Sequence, residues 1–321
     1  MQVTLEMIKE AQRNLEGVIR KTELSKSYSL SQATGMNIYL KTENRQNTNS
    51  FKLRGAYNKI ANLTDEERKR GVIASSAGNH AQGVAFAAKA FGINATICMP
   101  ETAPKTKVES TKSYGANVVL HGLVYDDCYQ KAVEIQRETG ATFVHPFNDP
   151  YVIAGQGTIG LEILEGLKDV DAVVVPIGGG GIISGIAIAM KEIKPDVKII
   201  GVQAEVIAST RASLDAGKIV TLPGVKSLAD GISVKTPGDL TFEIIKKYVD
   251  DVVTVSEEEI EDAIYRLLQK SKLVVEGAGA TTVAAVINGK VNMPGKNVVC
   301  VVTGGNIDPM VLANIIQKKN S

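Results

Sequence analysis

The chain has 321 residues, with 36 Lys and Arg against 35 Asp and Glu and a formal net charge of +1. So even a balance gives no basic surface for nucleic acid or for an anionic membrane. The absence of Trp and the 5% aromatic content leave no stacking platform for single strands. Three cysteines, an odd number with none in a C-x-x-C pair, argue against a disulfide framework or a zinc site and for a reducing, cytoplasmic compartment.

In chain order, Thr4 stands before Leu5, Ile8, Ala11 and Leu15, and with Glu6 and Glu10 among them the segment reads as a capped amphipathic helix, not a signal peptide. From residue 72 the pattern alternates: strand 72–75, helix 79–91, strand 95–99, helix 105–114, strand 118–121, helix 126–138, strand 142–144. Gly92, Gly115 and Gly140 follow successive helices, where a left-handed cap favours glycine. A second alternation has helix 152–167, strand 172–177, helix 182–193 and strand 197–202. It closes with a helix that Ser256 and Glu259 open as a capping box, a helix at 278–288, a strand at 297–302 and a final helix. Residues 172–190 carry no charge, but Pro176 and four glycines interrupt them, so they read as a buried strand and helix, not a membrane span.

This alternation predicts an α/β protein with mostly parallel sheets flanked by helices. A length above that of one ordinary core predicts two lobes. The expected division is a small α/β domain, 70–148, inserted in a larger one made of 1–69 and 149–321, with the site between them.

Four turns carry chemistry. Gly178, Gly179, Gly180 and Gly181 follow an apolar strand and open a helix at Ile182. Glycines let backbone approach a ligand, and a helix N-terminus favours an anion such as phosphate. The loop lacks the Lys-Ser/Thr ending of a Walker loop and does not fit G-x-G-x-x-G, and a tight packing turn is the plainer alternative. Ser76, Ala77, Gly78, Asn79 and His80 form a second strand-to-helix turn that suits a carboxylate, although capping by Ser76 or Asn79 alone explains it equally well. Lys52, between Phe51 and Leu53 at a helix start, is placed to be a neutral amine for Schiff-base chemistry. The helix N-terminus and Arg54 are expected to disfavour its charge. Thr303, before Gly304, Gly305 and Asn306, puts a hydroxyl at the end of the last strand.

A phosphate cradle, a carboxylate turn, an amine and a strand-end hydroxyl are the parts needed to hold pyridoxal 5'-phosphate and an amino acid. The ordered segments S-F-K-L-R-G-A, S-A-G-N-H-A-Q-G, A-G-Q-G-T-I-G-L-E, P-I-G-G-G-G, E-G-A-G-A and T-G-G-N resemble those of the fold-type II, tryptophan-synthase-β-like pyridoxal-phosphate enzymes, and among them the threonine/serine dehydratases. The resemblance runs from about residue 4 to residue 317. It implies that Lys52 attaches the cofactor, Gly178 to Gly181 with Ile182 bind its phosphate, Asn79 bonds its 3-oxygen, and Thr303 faces its ring nitrogen. It further implies that Phe51 and Gly231 flank the ring and that Ser76 through His80 hold the substrate carboxylate. The implied reaction removes water from L-threonine or L-serine and releases ammonia with 2-oxobutanoate or pyruvate.

Serine racemases of the family are the runner-up. They carry a serine where this chain has Ala77, and two-base racemisation needs that proton donor. Their divalent-metal site uses carboxylates where Gln203 and Ser209 stand here, with Glu205 nearby, so no metal is expected. A dinucleotide site using Glu205 is a weaker alternative, since it leaves Lys52 and the Ser76 turn unexplained. The chain ends at Ser321 without the C-terminal regulatory domain of biosynthetic dehydratases, which favours the catabolic type. The family also implies a homodimer or homotetramer and a possible AMP-type nucleotide effector.

Overall fold

A computed structural model describes residues 1–320. Its strands form two sheets. The larger contains β1 (Leu24–Lys26), β2 (Asn37–Lys41), β7 (Ala172–Pro176), β8 (Lys198–Ala204), β9 (Asp251–Val255) and β10 (Asn297–Val301), in the order β1-β2-β10-β7-β8-β9. The smaller contains β3 (Val72–Ser75), β4 (Ala95–Met99), β5 (Asn117–Leu120) and β6 (Thr142–Phe143), in the order β5-β4-β3-β6. All pairings are parallel except β1 with β2. This is the fold-type II α/β architecture, with helices covering the sheets.

The central strand β7 reads AVVVP and is buried throughout, as expected for a parallel strand covered on both faces. Val173, Val175 and Ile177 pack with Ile183 and Ile186 of the helix Gly181–Lys191 on one side. Val174, Val298 and Cys300 join Ala280, Val283 and Ala284 of the helix Gly277–Ile287 on the other. The smaller sheet has its own core, in which Val72, Ala74 and Ile97 meet Ala81, Val84 and Ala88 of the helix Asn79–Ala90.

Some details depart from the sequence reading. The last strand of the small sheet stops at Phe143, and β5 begins one residue earlier than expected, at Asn117. The pair β1–β2, joined through the helix Tyr28–Thr34, adds an antiparallel edge to the large sheet, and β9 extends its other edge. The former is easily missed because β1 is only three residues long and partly exposed.

The position of the site follows from topology. The chain runs from β7 outward to β8 and β9, then returns to the other side of β7 as β10. Open parallel sheets bind ligands beyond the carboxyl ends of strands where the order reverses in this way. The loop after β7 and the loop after β10 meet there, and the turn after β3 of the small sheet faces them.

Candidate active site

A cleft of about 740 Å³ lies at these strand ends. Among its lining residues are Phe51, Lys52, Ser76 to His80, Gly178 to Ile182, Gly231 and Thr303. Every site residue singled out from the sequence therefore reaches one cavity, although the residues are scattered over some 250 positions, a spread of roughly domain length.

Lys52 is the first residue of the helix Lys52–Ala61 and lies at the cleft wall. Its Nζ donates to the Pro146 carbonyl at 2.9 Å and lies 5.2 Å from the centre of the Phe51 ring. Burial pushes the ammonium down to about 8, with the Glu276 carboxylate opposing. The expected contribution of Arg54 is corrected here: Arg54 faces away and is bound up by Glu43 and Glu162. Burial, not that neighbouring cation, makes the Lys52 amine easy to deprotonate.

Backbone hydrogen bonds hold the lysine's surroundings. The Phe51 N–H donates to the Thr303 carbonyl at 3.1 Å, and the Glu276 N–H donates to Gly304 O at 3.1 Å. Ser50 forms a bridge with Gly304. Thr303 is buried at this junction.

The glycine loop is shaped by close packing and by one left-handed residue. Gly180 has φ of +93°, and the helix begins at Gly181. A Cβ on Gly179 would collide with the Phe147 ring. Thr241 Oγ1 donates to the Gly179 carbonyl at 2.6 Å, which steadies the loop from behind. Such a loop at a helix N-terminus suits a phosphate.

The Ser76 turn is held by the Ser76 N–H donating to Cys98 O at 3.1 Å and by the Gly78 N–H donating to Ser76 Oγ at 3.2 Å. His80 is buried. Its Nε2 meets the Val144 carbonyl at 2.7 Å, while Nδ1 has no partner. Burial and the nearby Lys52 charge push its imidazole down to about 3, so it is neutral. The Ser75 hydroxyl is likewise buried and unpartnered at the cleft.

Among the further acid–base groups that line the cleft are Glu276 and His145. Glu276 opens the E-G-A-G-A segment at the N-cap position of the helix Gly277–Ile287, yet makes no capping bond there. Burial, then the charge of Asp230, push its carboxyl up to about 7. His145 is pushed down to about 4 by burial and by Lys52. In the sequence Glu276 stands only as the first residue of the E-G-A-G-A segment, and no local pattern marks it as a cleft residue. The Gln203 and Ser209 side chains are committed to backbone groups. Gln203 bonds Ile177 O and the Arg211 N–H, and Ser209 bonds Val234 O.

A group with a phosphate, an amine-reactive carbonyl and a flat polar ring fits this cleft. The glycine loop meets the first, the readily deprotonated Lys52 the second, and Phe51, Asn79 and Thr303 surround the space between.

Comparison with known proteins gives the same chemistry. The profile of the family described as pyridoxal-phosphate dependent enzyme matches residues 15–304. An L-threonine ammonia-lyase of Thermotoga maritima is 60% identical over 316 residues, covering 98% of this chain and 79% of that protein. A catabolic L-threonine dehydratase of Staphylococcus aureus is 48% identical over 319 residues, covering 98% of this chain and 92% of the other. The structure of maize serine racemase superposes with a TM-score of 0.94 at 36% identity, covering 100% of this chain and 98% of the racemase.

Proposed function

The chain belongs to the pyridoxal-phosphate dependent enzymes, and on that premise we propose that it is an L-threonine ammonia-lyase that also accepts L-serine. It releases ammonia with 2-oxobutanoate from threonine or pyruvate from serine, by loss of the α-proton and the β-hydroxyl. The observation that carries the reading is Lys52, an amine lowered to about 8 and set at the cleft wall with the glycine loop.

When bound, pyridoxal phosphate supplies an electron sink that acidifies the α-proton of an attached amino acid. Gly178 to Gly181 and Ile182 would hold its phosphate, Lys52 its carbonyl carbon and Asn79 its ring oxygen. Thr303 would face the ring nitrogen, and Phe51 and Gly231 would lie beside the ring. The Lys52 amine is the base that would take the α-proton, and its depressed proton affinity keeps a useful neutral fraction near neutral pH. Ser76 through His80 orient the substrate carboxylate. Within that turn the neutral His80 adds no charge, and its buried imidazole supports the wall through Val144. Thr303, an uncharged hydroxyl, does not force a proton onto the ring nitrogen. That would favour prompt loss of the β-hydroxyl once the α-proton is taken.

Racemisation is the second reading, favoured by the likeness to the maize racemase. Ala77 argues against it, because a methyl group cannot return a proton from the opposite face. Chiral chromatography after incubation with L-serine decides between them. We expect pyruvate and no D-serine from the wild type, and measurable D-serine from Ala77→Ser. D-serine as the main wild-type product would overturn the elimination reading.

The small unit, 70–148, is proposed to close over the substrate against 1–69 and 149–321. Ion pairs from Lys107 to Asp230 and from Asp126 to Lys235 bridge the two at the cleft mouth. Three free, buried cysteines suit a reducing cytoplasm. Among the described residues, no helix is long and apolar enough to cross a membrane. We further propose, on the family resemblance alone, a homodimer or homotetramer and a possible AMP-type nucleotide effector. Light scattering and an AMP titration of KM test those two points.

A further inference from the structure

Asn79 opens the helix Asn79–Ala90, and both ends of its side-chain amide are held by the opposite wall of the cleft. Its Nδ2 donates to Glu276 Oε1 at 2.6 Å, and its Oδ1 accepts from Asn306 Nδ2 at 2.7 Å. Asn306 is itself oriented, because the same Nδ2 donates to the Thr48 backbone carbonyl at 3.0 Å, a group that only accepts. A committed N–H on one side and a carboxyl oxygen on the other leave Asn79 one amide orientation. An asparagine amide carries two N–H bonds and one carbonyl. One N–H and the carbonyl are used here, so the amide plane fixes the direction of the remaining N–H.

Glu276 is unusually placed for a carboxylate. It stands at a helix N-terminus without capping it, and it is only 7% exposed although acidic side chains normally stay in water. The backbone opposite makes room for it: a side chain at Gly304 would collide with its carboxyl and would come within 3.1 Å of Asn79 Nδ2.

We propose that Glu276 is a positioning residue: through Asn79 it aims one amide N–H at the ring oxygen of the bound cofactor, and so sets the tilt of the ring relative to Lys52. The inference rests on reading the cleft as a pyridoxal-phosphate site. Without Glu276 the Asn79 amide can rotate about its last bond, and the cofactor stays attached but rocks. The α-proton then spends less time in reach of the Lys52 amine, which lowers turnover more than substrate binding.

The test compares Glu276→Leu with Glu276→Gln as holoenzymes. Both remove the charge that acts on Lys52, but only glutamine can present an oxygen to Asn79 Nδ2. Their difference therefore isolates the hydrogen bond. Visible circular dichroism reads how the bound cofactor is held, and kcat and KM for L-threonine read the consequence.

In Glu276→Leu the visible dichroism per bound cofactor should weaken, and kcat should fall about tenfold, the order expected for a hydrogen bond to a charged group, with little change in KM. Glu276→Gln should recover most of both. If Glu276→Leu fails to fold, Asn306→Leu, which frees the other end of the amide, should give the same dichroism and kcat losses. Wild-type dichroism and kcat in the leucine variant, or a glutamine variant as impaired as leucine, would overturn the proposal. A wild-type holoenzyme that makes no 2-oxo acid would instead defeat the functional reading, and the dichroism comparison alone would then decide the positioning role.

Discussion

Lys52 and Arg54 are two residues apart on one helix, yet they occupy opposite kinds of surroundings. Two residues of α-helix turn the side chain by about 200°. Arg54 thus points into the large unit while Lys52 points into the cleft. Around Arg54 every charge is answered: it pairs with Glu43 at 2.8 Å and Glu162 at 2.6 Å, and Lys41 pairs with Glu162 at 2.5 Å. The Thr22 hydroxyl bonds Glu43, and the Thr158 hydroxyl accepts from Arg54 at 3.1 Å. The Lys52 amine instead donates to a neutral carbonyl, and the carboxyl acting on it, Glu276, is itself raised to about 7. The arginine is thereby held well above its usual range despite burial, while the lysine falls to about 8. Buried charge becomes scaffold when it is fully countered and becomes a reagent when it is not.

Removing each cation sharpens this contrast. Lys52→Ala should lower kcat by at least about 10²–10⁴-fold, the range for loss of a general base, with a melting temperature no lower than the wild type. Steady-state kinetics and a thermal melt check both halves. A strong loss of stability would place Lys52 with the scaffold. Arg54→Leu should act in the opposite sense and cost about 3–5 kcal/mol, because it leaves buried carboxylates uncompensated. Urea unfolding measures this, and an unchanged midpoint would break the comparison.

The smallest expected effect concerns pH. An amine captures an aldehyde only when neutral, so the rate at which apoprotein takes up pyridoxal phosphate should rise with pH through about 8, not 10.5. Glu276 holds the Lys52 proton on, so Glu276→Gln should move that midpoint to lower pH. A stopped-flow pH profile checks both points. A midpoint near the ordinary lysine value would mean that Lys52 is solvated.

Much of this was legible in the residues. Four consecutive glycines after an apolar strand, a Gly-Asn-His turn after another and a lysine between Phe51 and Leu53 are local patterns, and each landed at the cleft. Strand–helix alternation likewise disclosed the parallel sheets, because β-branched runs and helical periodicity are short-range signals. The partners of buried charge were not legible. Glu43 and Glu162 lie 11 and 108 residues from Arg54, and Glu276 lies 224 residues from Lys52, and no period in a sequence encodes such meetings. Arg54 was therefore assigned an influence on Lys52 that it does not have, and Glu276, the first residue of the E-G-A-G-A segment, was assigned no role. The three-residue β1 escaped because so short and exposed a strand has no alternation to read.

The central claim is that the uncountered Lys52 amine serves elimination. The most direct measurement adds L-threonine to the purified holoenzyme and follows the visible cofactor band and 2-oxo acid in one cuvette. The account predicts a shift of the band with steady appearance of 2-oxobutanoate. A band that shifts while D-amino acid accumulates and no 2-oxo acid appears would contradict it.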